Sequence, residues 1–200
     1  MSQSWEILQH EADACNKCAL KGILEIDCPR KTIGIPTQID HPSCLFVSWN
    51  PPKQGKNFWN DSQDNLRKNV FGILKLNSIE EFLSRGYFLV HALKCPTRRP
   101  GMLQSGRLLT RSALSVCVPN HLQKEVALLE PQRICFMGAV AKEAFELFCR
   151  EVRDWQASPR NGESRDIKLE HGVVNCLYTC LPVRPPLVSC TKIHLSRWKS

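Results

Sequence analysis

Cysteines are the residues of this sequence with the clearest chemical potential, and eleven of them occur among 200 residues. Cys15 and Cys18 form a C-x-x-C pair in a polar context. Cys95 follows an apolar segment, and Cys117 precedes an amphipathic one. One close pair and two distant thiolates could form a four-thiolate site for zinc or an iron–sulfur cluster. On spacing alone, three further cysteines are rival ligands: Cys28, Cys180 and Cys190. Those within apolar runs are expected to be buried: Cys44, Cys135, Cys149 and Cys176.

A second candidate site follows the apolar segment 44–47, which is predicted to be a buried strand. The prolines of Pro51-Pro52 cannot continue a hydrogen-bonded ladder, so the strand ends at Asn50. A polar residue fixed there is how an α/β protein presents a site at the carboxyl edge of its sheet. A flexible loop containing Lys53 then leads to the aromatic pair Phe58-Trp59. The alternative is an ordinary strand and turn followed by two core aromatic residues.

The surrounding elements alternate between strands and helices. The four predicted strands span 43–48, 87–93, 133–137 and 173–179. This order predicts an α/β fold, a three-layer α/β/α arrangement with a mostly parallel four-stranded central sheet. A helix is expected to start at Pro119, and the polar residues 153–166 are expected to form a surface loop. Because parallel strands end at one edge, the loops after them are expected to share one groove.

Length and charge suggest one domain with a polyanionic partner. A chain of 200 residues suits a single domain, 1–200, in which the cysteine site would anchor the amino-terminal segment 1–42. The net charge is +8, and the segments 82–124 and 171–200 contain no acidic residue. If the fold brings both segments to one face, that face would attract nucleic acid. The alternative is a chance clustering of solvated charges.

The expected location is the cytosol. No apolar run approaches the roughly 18 residues that a bilayer-spanning helix needs, and the amino terminus has no signal-peptide pattern. We therefore expect a cytoplasmic protein, associated with the nucleoid if it is bacterial or archaeal. We expect it to be a monomer with no membrane partner.

The order of the motifs resembles the uracil-DNA glycosylase superfamily, particularly its iron–sulfur branch, called family 4. The C-x-x-C-x-L of that branch is matched by CNKCAL at 15–20, and its N-x-x-K-C-x-P by HALKCPT at 91–97. A cysteine that opens a helix running to a proline is matched by the segment 117–131. Strand ends of the G-E-x-P-G and L-G-x-x-A types are matched at 45–52 and 137–141. The resemblance spans most of the chain.

This resemblance implies a cofactor, an activity and a partner. The ligands of a structural [4Fe–4S] cluster would be Cys15, Cys18, Cys95 and Cys117, and zinc is the alternative metal. The implied activity is base flipping followed by cleavage of the N-glycosidic bond in DNA. That chemistry would remove uracil or another deaminated base in base excision repair.

The resemblance also assigns roles to residues. Asn50 would position a water molecule, and since an amide is not a strong base, catalysis would depend on stabilising the leaving base. Its W-N-P-P context is closer to the G-x-N-P-G of the mismatch-specific and single-strand-selective branches. Base-binding residues would be Trp49, Phe58, whose ring would stack on the base, and His91. DNA-binding residues would be Lys53, Lys94, Arg98, Arg99 and Arg184.

Two departures from the family pattern bear on activity. His91 stands where the family has an asparagine that contacts the uracil edge, so base preference could differ. The H-P-S motif after the last strand is absent, and Leu181-Pro182-Val183-Arg184 stands there instead. That histidine normally stabilises the departing base, a role that His91 or His194 could take. The hypotheses are a glycosylase with altered specificity, a weak or inactive relative that binds DNA or a lesion, and a zinc-stapled domain without a DNA role.

Overall fold

A five-stranded mixed sheet forms the centre of the computed structural model. The structure describes residues 4–20, 34–36, 39, 41–52, 55–95, 104–151 and 160–198. The strands are β1 (Cys44–Ser48), β2 (Tyr87–His91), β3 (Arg133–Met137), β4 (Ser164–Leu169) and β5 (Gly172–Thr179). Their order in the sheet is β2-β1-β3-β5-β4. The α/β class is therefore confirmed.

Four of the strands are parallel, as their apolar sequences predict. β1 pairs with β2 and β3, and β3 pairs with β5. Every residue of β1 is buried, and β3 is buried from Ile134 to Met137. Burial on both faces explains the unbroken apolar runs of these strands.

The fifth strand corrects the predicted four-stranded sheet. β4 pairs antiparallel with β5 through a two-residue turn at Glu170-His171. The predicted surface loop 153–166 overlaps the start of this strand. Only Ile167 of β4 is buried, so the segment lacks the apolar alternation that indicates a strand. Its pairing depends on the neighbouring strand and on the turn, neither of which is visible in its own composition.

Helices connect the strands and group on the two faces of the sheet. They are α1 (Trp5–Ala14), α2 (Lys17–Leu20), α3 (Asn65–Leu74), α4 (Ile79–Ser84), α5 (Gln104–Cys117), α6 (Gln123–Leu129), α7 (Ala139–Glu151) and α8 (Pro185–Trp198). α3 packs against α8, and α5 packs against α7. Right-handed crossovers send β1 to β2 over one face and β3 to β5 over the other, which accounts for these two groups.

Side-chain caps stabilise the start of α4, where Ser78 is the N-cap residue. Ser78 Oγ accepts a hydrogen bond from the backbone N–H of Glu81 at 3.1 Å. The carboxylate of Glu81 accepts in return from the backbone N–H of Asn77 at 2.9 Å. The first bond satisfies a donor that the first turn of a helix leaves open, and the second holds the residue that precedes the N-cap.

The helix predicted to start at Pro119 starts earlier. A π-helical turn, Val118–Leu122, joins α5 to α6, so one continuous helical segment runs from Gln104 to Leu129. Pro119 has no backbone N–H to donate, and the wider π-turn accommodates its ring without ending the helix. Cys117 therefore lies within the segment rather than before it.

Aromatic side chains fill the core beside β1 and β2. The ring of Phe82 is fully buried, with Phe46, Phe58 and Phe71 at centroid distances between 5.2 and 5.9 Å. The amino-terminal helix packs on β2 through Trp5, whose ring lies edge-on to Phe88 at 5.5 Å, and it also contacts α6. In the described part of the chain, no helix combines the length and apolar character needed to cross a bilayer.

Candidate active site

The carboxyl ends of β1 and β3 define a crevice at the point where the chain direction reverses. After β1 the chain crosses to β2, and after β3 it crosses the other way to β5. Ligands of open α/β sheets bind at such a switch point. Asn50 follows β1 here and is half-buried, and Gly138 follows β3 with φ of +90°. The predicted position of Asn50 at the sheet edge agrees with this arrangement.

His91 lies one strand away, at the carboxyl end of β2. It is aligned with Ser48 of β1, and its Nδ1 lies 2.7 Å from Ser48 Oγ. Only 5% of His91 is exposed. Burial, with the nearby charge of Lys94, lowers the pKa of His91 to about 3. At neutral pH the ring is therefore uncharged and can stabilise a leaving base only by hydrogen bonding.

The two aromatic residues predicted to bind a base differ in their surroundings. Phe58 is 1% exposed, and its ring meets Trp59, Phe71 and Phe82 within the core. This packing supports a core role for Phe58 and leaves its predicted stacking on a base unsupported. Trp49 is half-buried beside Asn50, and within the described residues its buried indole N–H has no acceptor.

Lys94 is buried, which corrects its predicted contact with DNA. Its Nζ donates to the carbonyl of His91 at 2.6 Å and to Glu125 Oε2 at 2.5 Å. Burial raises the pKa of Glu125, and the Lys94 charge opposes that rise. An ammonium group enclosed with its own carboxylate cannot reach a phosphate, so Lys94 supports the His91 backbone instead.

The basic surface is smaller than the sequence suggests. Arg85 and Lys124, like Lys94, pair with carboxylates, at 2.7 Å to Glu81 and 2.8 Å to Glu11 respectively. Arg184 is exposed, immediately before α8. The other predicted DNA-binding residues, Lys53, Arg98 and Arg99, lie outside the described residues.

The loop that replaces the H-P-S motif packs beside the crevice. A Cβ atom at Gly138 would lie 2.8 Å from Leu181 Cβ, so the β3–α7 turn and the β5–α8 loop touch. The carbonyl of Arg184 accepts from Leu187 and Val188, both at 3.0 Å. Because α8 begins with two prolines, its first turn offers few backbone donors to a phosphate. Any phosphate contact here would therefore come from the Arg184 side chain.

His194, the other histidine proposed for the missing role, lies in α8 and contacts the end of β5. Its Nδ1 is 2.8 Å from Thr179 Oγ1 and 3.8 Å from Cys190 Sγ. Cys190 forms a disulfide with Cys180, so neither of these two rival cysteines offers a free thiolate. Burial lowers the pKa of His194, and Arg197 adds to the effect. Two strands, β1 and β3, separate the end of β5 from the end of β2, where His91 lies.

The four predicted metal ligands occupy neighbouring elements. Cys18, Cys95 and Cys117 are buried and Cys15 is half-buried. α2, which includes Cys18, packs against α5, and Lys17 beside it donates to Asn120 in the π-turn. Cys117 accepts from the backbone N–H of Lys94 at 3.3 Å, and burial raises the pKa of Cys117 to about 12. No three His, Cys, Asp or Glu side chains among the described residues converge as a metal site.

Sequence reasoning missed two residues that hold side chains near the crevice. They are Ser48, which contacts His91, and Glu125, which pairs with Lys94. Ser48 ends β1 and gave no signal beyond being a polar residue in an apolar strand. Glu125 had a signal, because it shares a helix face with the buried residues Leu122 and Leu129. A carboxylate on an apolar helix face indicates a buried cation, which here is Lys94.

One family matches this fold and site. Residues 36–186 of the 200 match the family described as the uracil DNA glycosylase superfamily. The match covers more than half of the chain, so the chain belongs to that superfamily. Membership indicates DNA glycosylase activity in general. No curated protein matched the chain.

Proposed function

We propose that this protein is a DNA glycosylase that flips uracil or another deaminated base out of DNA and hydrolyses its N-glycosidic bond. The observation that supports this most is the placement of Asn50 at the switch-point crevice, one strand from the buried His91. Superfamily membership supports the class of reaction. Repair by base excision is the corresponding role.

The proposed mechanism depends on the leaving base. The Asn50 amide orients a water molecule but cannot remove its proton strongly, so the bond must break largely before the water attacks. Neutral His91 then assists by hydrogen bonding to the base, and Trp49 lies beside them as a contact surface. Arg184, with Lys53, Arg98 and Arg99 from the sequence, would bind phosphates.

The proposed cofactor is a structural [4Fe–4S] cluster, with zinc as the alternative. The donor set suits either metal, because thiolates are soft ligands. The Lys94 N–H bonded to Cys117 Sγ is the kind of hydrogen bond that stabilises a ligating thiolate. The group would supply cross-linking between the segment containing Cys15 and Cys18 and the sheet edge at Cys95.

The decisive experiment measures base release from oligonucleotides containing uracil, hypoxanthine or xanthine, with anaerobically purified protein. Wild type is expected to release at least one base, and Asn50→Ala is expected to bind the same DNA but lose about a hundredfold or more in rate. Asn77→Ala, which removes an amide between α3 and α4, is the matched control. Equal rates for Asn50→Ala and wild type would refute the proposed role.

A second candidate function is DNA or lesion binding without catalysis. It is favoured by Leu181-Pro182-Val183-Arg184 in place of the usual histidine motif and by the neutrality of His91. Under this alternative, wild type and Asn50→Ala would bind equally and neither would release a base.

A further inference from the structure

Ser48 and His91 form a buried side-chain contact at the carboxyl edge of the sheet. Both side chains are almost fully buried, 2% and 5% exposed, where β1 and β2 end side by side. Their atoms Oγ and Nδ1 are 2.7 Å apart, a normal hydrogen-bond distance. Which partner supplies the proton decides what the other ring nitrogen, Nε2, can offer to a substrate.

The position of the proton follows from the Ser48 hydroxyl. Among the described residues, His91 Nδ1 is the acceptor available to this side chain. If Nδ1 carried the ring proton, the hydroxyl proton of Ser48 would be left inside the protein without an acceptor. An unsatisfied buried donor is costly, so Ser48 donates and Nδ1 accepts. The ring proton of neutral His91 then resides on Nε2.

The ring does not gain a second proton near neutral pH. Burial and the neighbouring Lys94 ammonium both disfavour imidazolium. Within the described part of the chain, no hydrogen bond occupies Nε2. Nε2–H is therefore the donor that the His91 ring presents at the carboxyl edge, one strand from Asn50.

We infer that Ser48 is a specificity-determining positioning residue, which fixes His91 as an Nε2–H donor so that the site selects bases presenting a carbonyl oxygen. This inference rests on the proposed glycosylase function. Deamination replaces an exocyclic amino donor with a carbonyl acceptor, turning cytosine into uracil and adenine into hypoxanthine. A fixed donor forms a hydrogen bond with the carbonyl oxygen of the deaminated base. The amino group of the original base is itself a donor, so it cannot form that bond.

The same geometry predicts that the site accepts more than one deaminated base. A single imidazole tautomer offers one hydrogen-bonding role through Nε2, whereas an amide offers a donor and an acceptor together. His91 therefore reads the carbonyl but not the adjacent ring N–H. Uracil and hypoxanthine are both expected to be accepted.

The first arm of the test determines the tautomer directly. Nitrogen-15 NMR of histidine-labelled full-length protein distinguishes an Nε2–H ring from an Nδ1–H ring. Wild type is expected to show Nε2–H for His91, identified by its loss in His91→Gln. Ser48→Ala is expected to shift the tautomer balance. Ser43→Ala is the matched control, because it removes a hydroxyl that bonds the Gly86 carbonyl at the opposite end of β1.

The second arm measures selectivity without requiring catalysis. Binding of oligonucleotides that differ only in uracil or cytosine is compared by fluorescence anisotropy. Ser48→Ala is expected to reduce the uracil-to-cytosine preference about tenfold, the value of one hydrogen bond. Ser48→Thr, which retains the hydroxyl, is expected to keep the preference, as is Ser43→Ala.

The outcomes separate this inference from the proposed function. An Nδ1–H ring in wild type, or an unchanged preference in Ser48→Ala, would overturn the role of Ser48. Absence of base release from every oligonucleotide would refute the proposed function alone. In that case the tautomer and the binding preference would still decide the inference.

Discussion

His91 is a buried histidine whose surroundings keep it uncharged. In the unfolded chain it would take up a proton near its ordinary pKa of 6.5, whereas in the folded chain its pKa is about 3. Between these values the unfolded state binds more protons than the folded state. The free energy of unfolding therefore decreases as the pH falls through this window.

Stability is expected to decline by as much as about 1.4 kcal/mol per pH unit below 6.5 from His91 alone. Urea denaturation at pH 7 and pH 5 measures this decline. His91→Gln should flatten the dependence, whereas His194→Gln, at a less buried site, should flatten it less. An equal slope in wild type and His91→Gln would contradict the burial effect.

Lys94 and Glu125 form a buried ion pair, so removing one charge should be worse than removing both. Lys94→Met leaves an unpaired buried carboxylate and is expected to cost about 3–5 kcal/mol. The double variant Lys94→Met/Glu125→Leu should recover most of that loss in urea denaturation. Arg85→Gln, which breaks the exposed pair with Glu81, is the control and should change stability little. Additive effects of the two buried substitutions would disprove the coupling.

For individual residues, the sequence predicts the positions of those that lie at or just after the end of a strand. Asn50 follows β1 and His91 ends β2, and because these strands are parallel, the placement of both residues at one edge of the sheet was predictable. The surroundings of Lys94 were not, because its partner Glu125 is 31 residues away along the chain. The burial of Phe58 was equally hidden, since it depends on rings from α3, α4 and the loop itself.

Among the elements, the β3–α7 turn and the β5–α8 loop must fit together at the crevice. Gly138 enables their contact, because its φ of +90° and its lack of a Cβ admit Leu181. Leu181 begins the loop that presents Arg184. The turn therefore helps to determine where the proposed phosphate-binding side chain of Arg184 stands relative to Asn50.

Gly138→Ala is expected to destabilise the protein by about 1–3 kcal/mol and to weaken DNA binding. Gly72→Ala is the matched substitution, since a Cβ there meets nothing within 4 Å on the exposed side of α3. It should stabilise the protein by about 0.5–1 kcal/mol. Thermal denaturation and anisotropy of labelled DNA measure the two effects. Indistinguishable melting temperatures for the two variants would rule out the close contact.

Elements with their own apolar pattern were predictable, and those that depend on neighbours were not. β1 and β3 have continuous apolar sequences because they are buried on both faces. β4 is an edge strand with a single buried residue, Ile167, so its sequence resembles a loop. The helix across Pro119 was missed because the proline rule assumes α-helical geometry, which the π-turn replaces.

For the whole molecule, the proposed cluster would join the amino-terminal cysteines to those of the sheet edge. The structure holds α1 independently, through Trp5 packed on Phe88 and bonded to the Pro36 carbonyl at 2.8 Å. A cluster would add covalent links between the amino-terminal segment and the sheet edge. It would thereby stabilise the folded chain further, since the ligands are far apart in sequence.

Cys15→Ser and Cys117→Ser are each expected to abolish bound metal and lower the melting temperature. Iron, sulfide and zinc analysis of anaerobically purified protein, with visible absorbance, measures the loss and identifies the metal. Cys149→Ser, at a buried cysteine of α7 outside the predicted ligand set, should retain the metal content of wild type. Wild-type protein with neither iron nor zinc would refute the predicted cluster.

The buried pair of Lys94 and Glu125 also limits how this sequence can change over evolutionary time. A neutral residue at either position would leave the other charge enclosed without its counterion. Single replacements should therefore be purged, and the two positions should change together. In an alignment of related chains, we expect positions 94 and 125 to covary as a cation with a carboxylate or as two neutral residues.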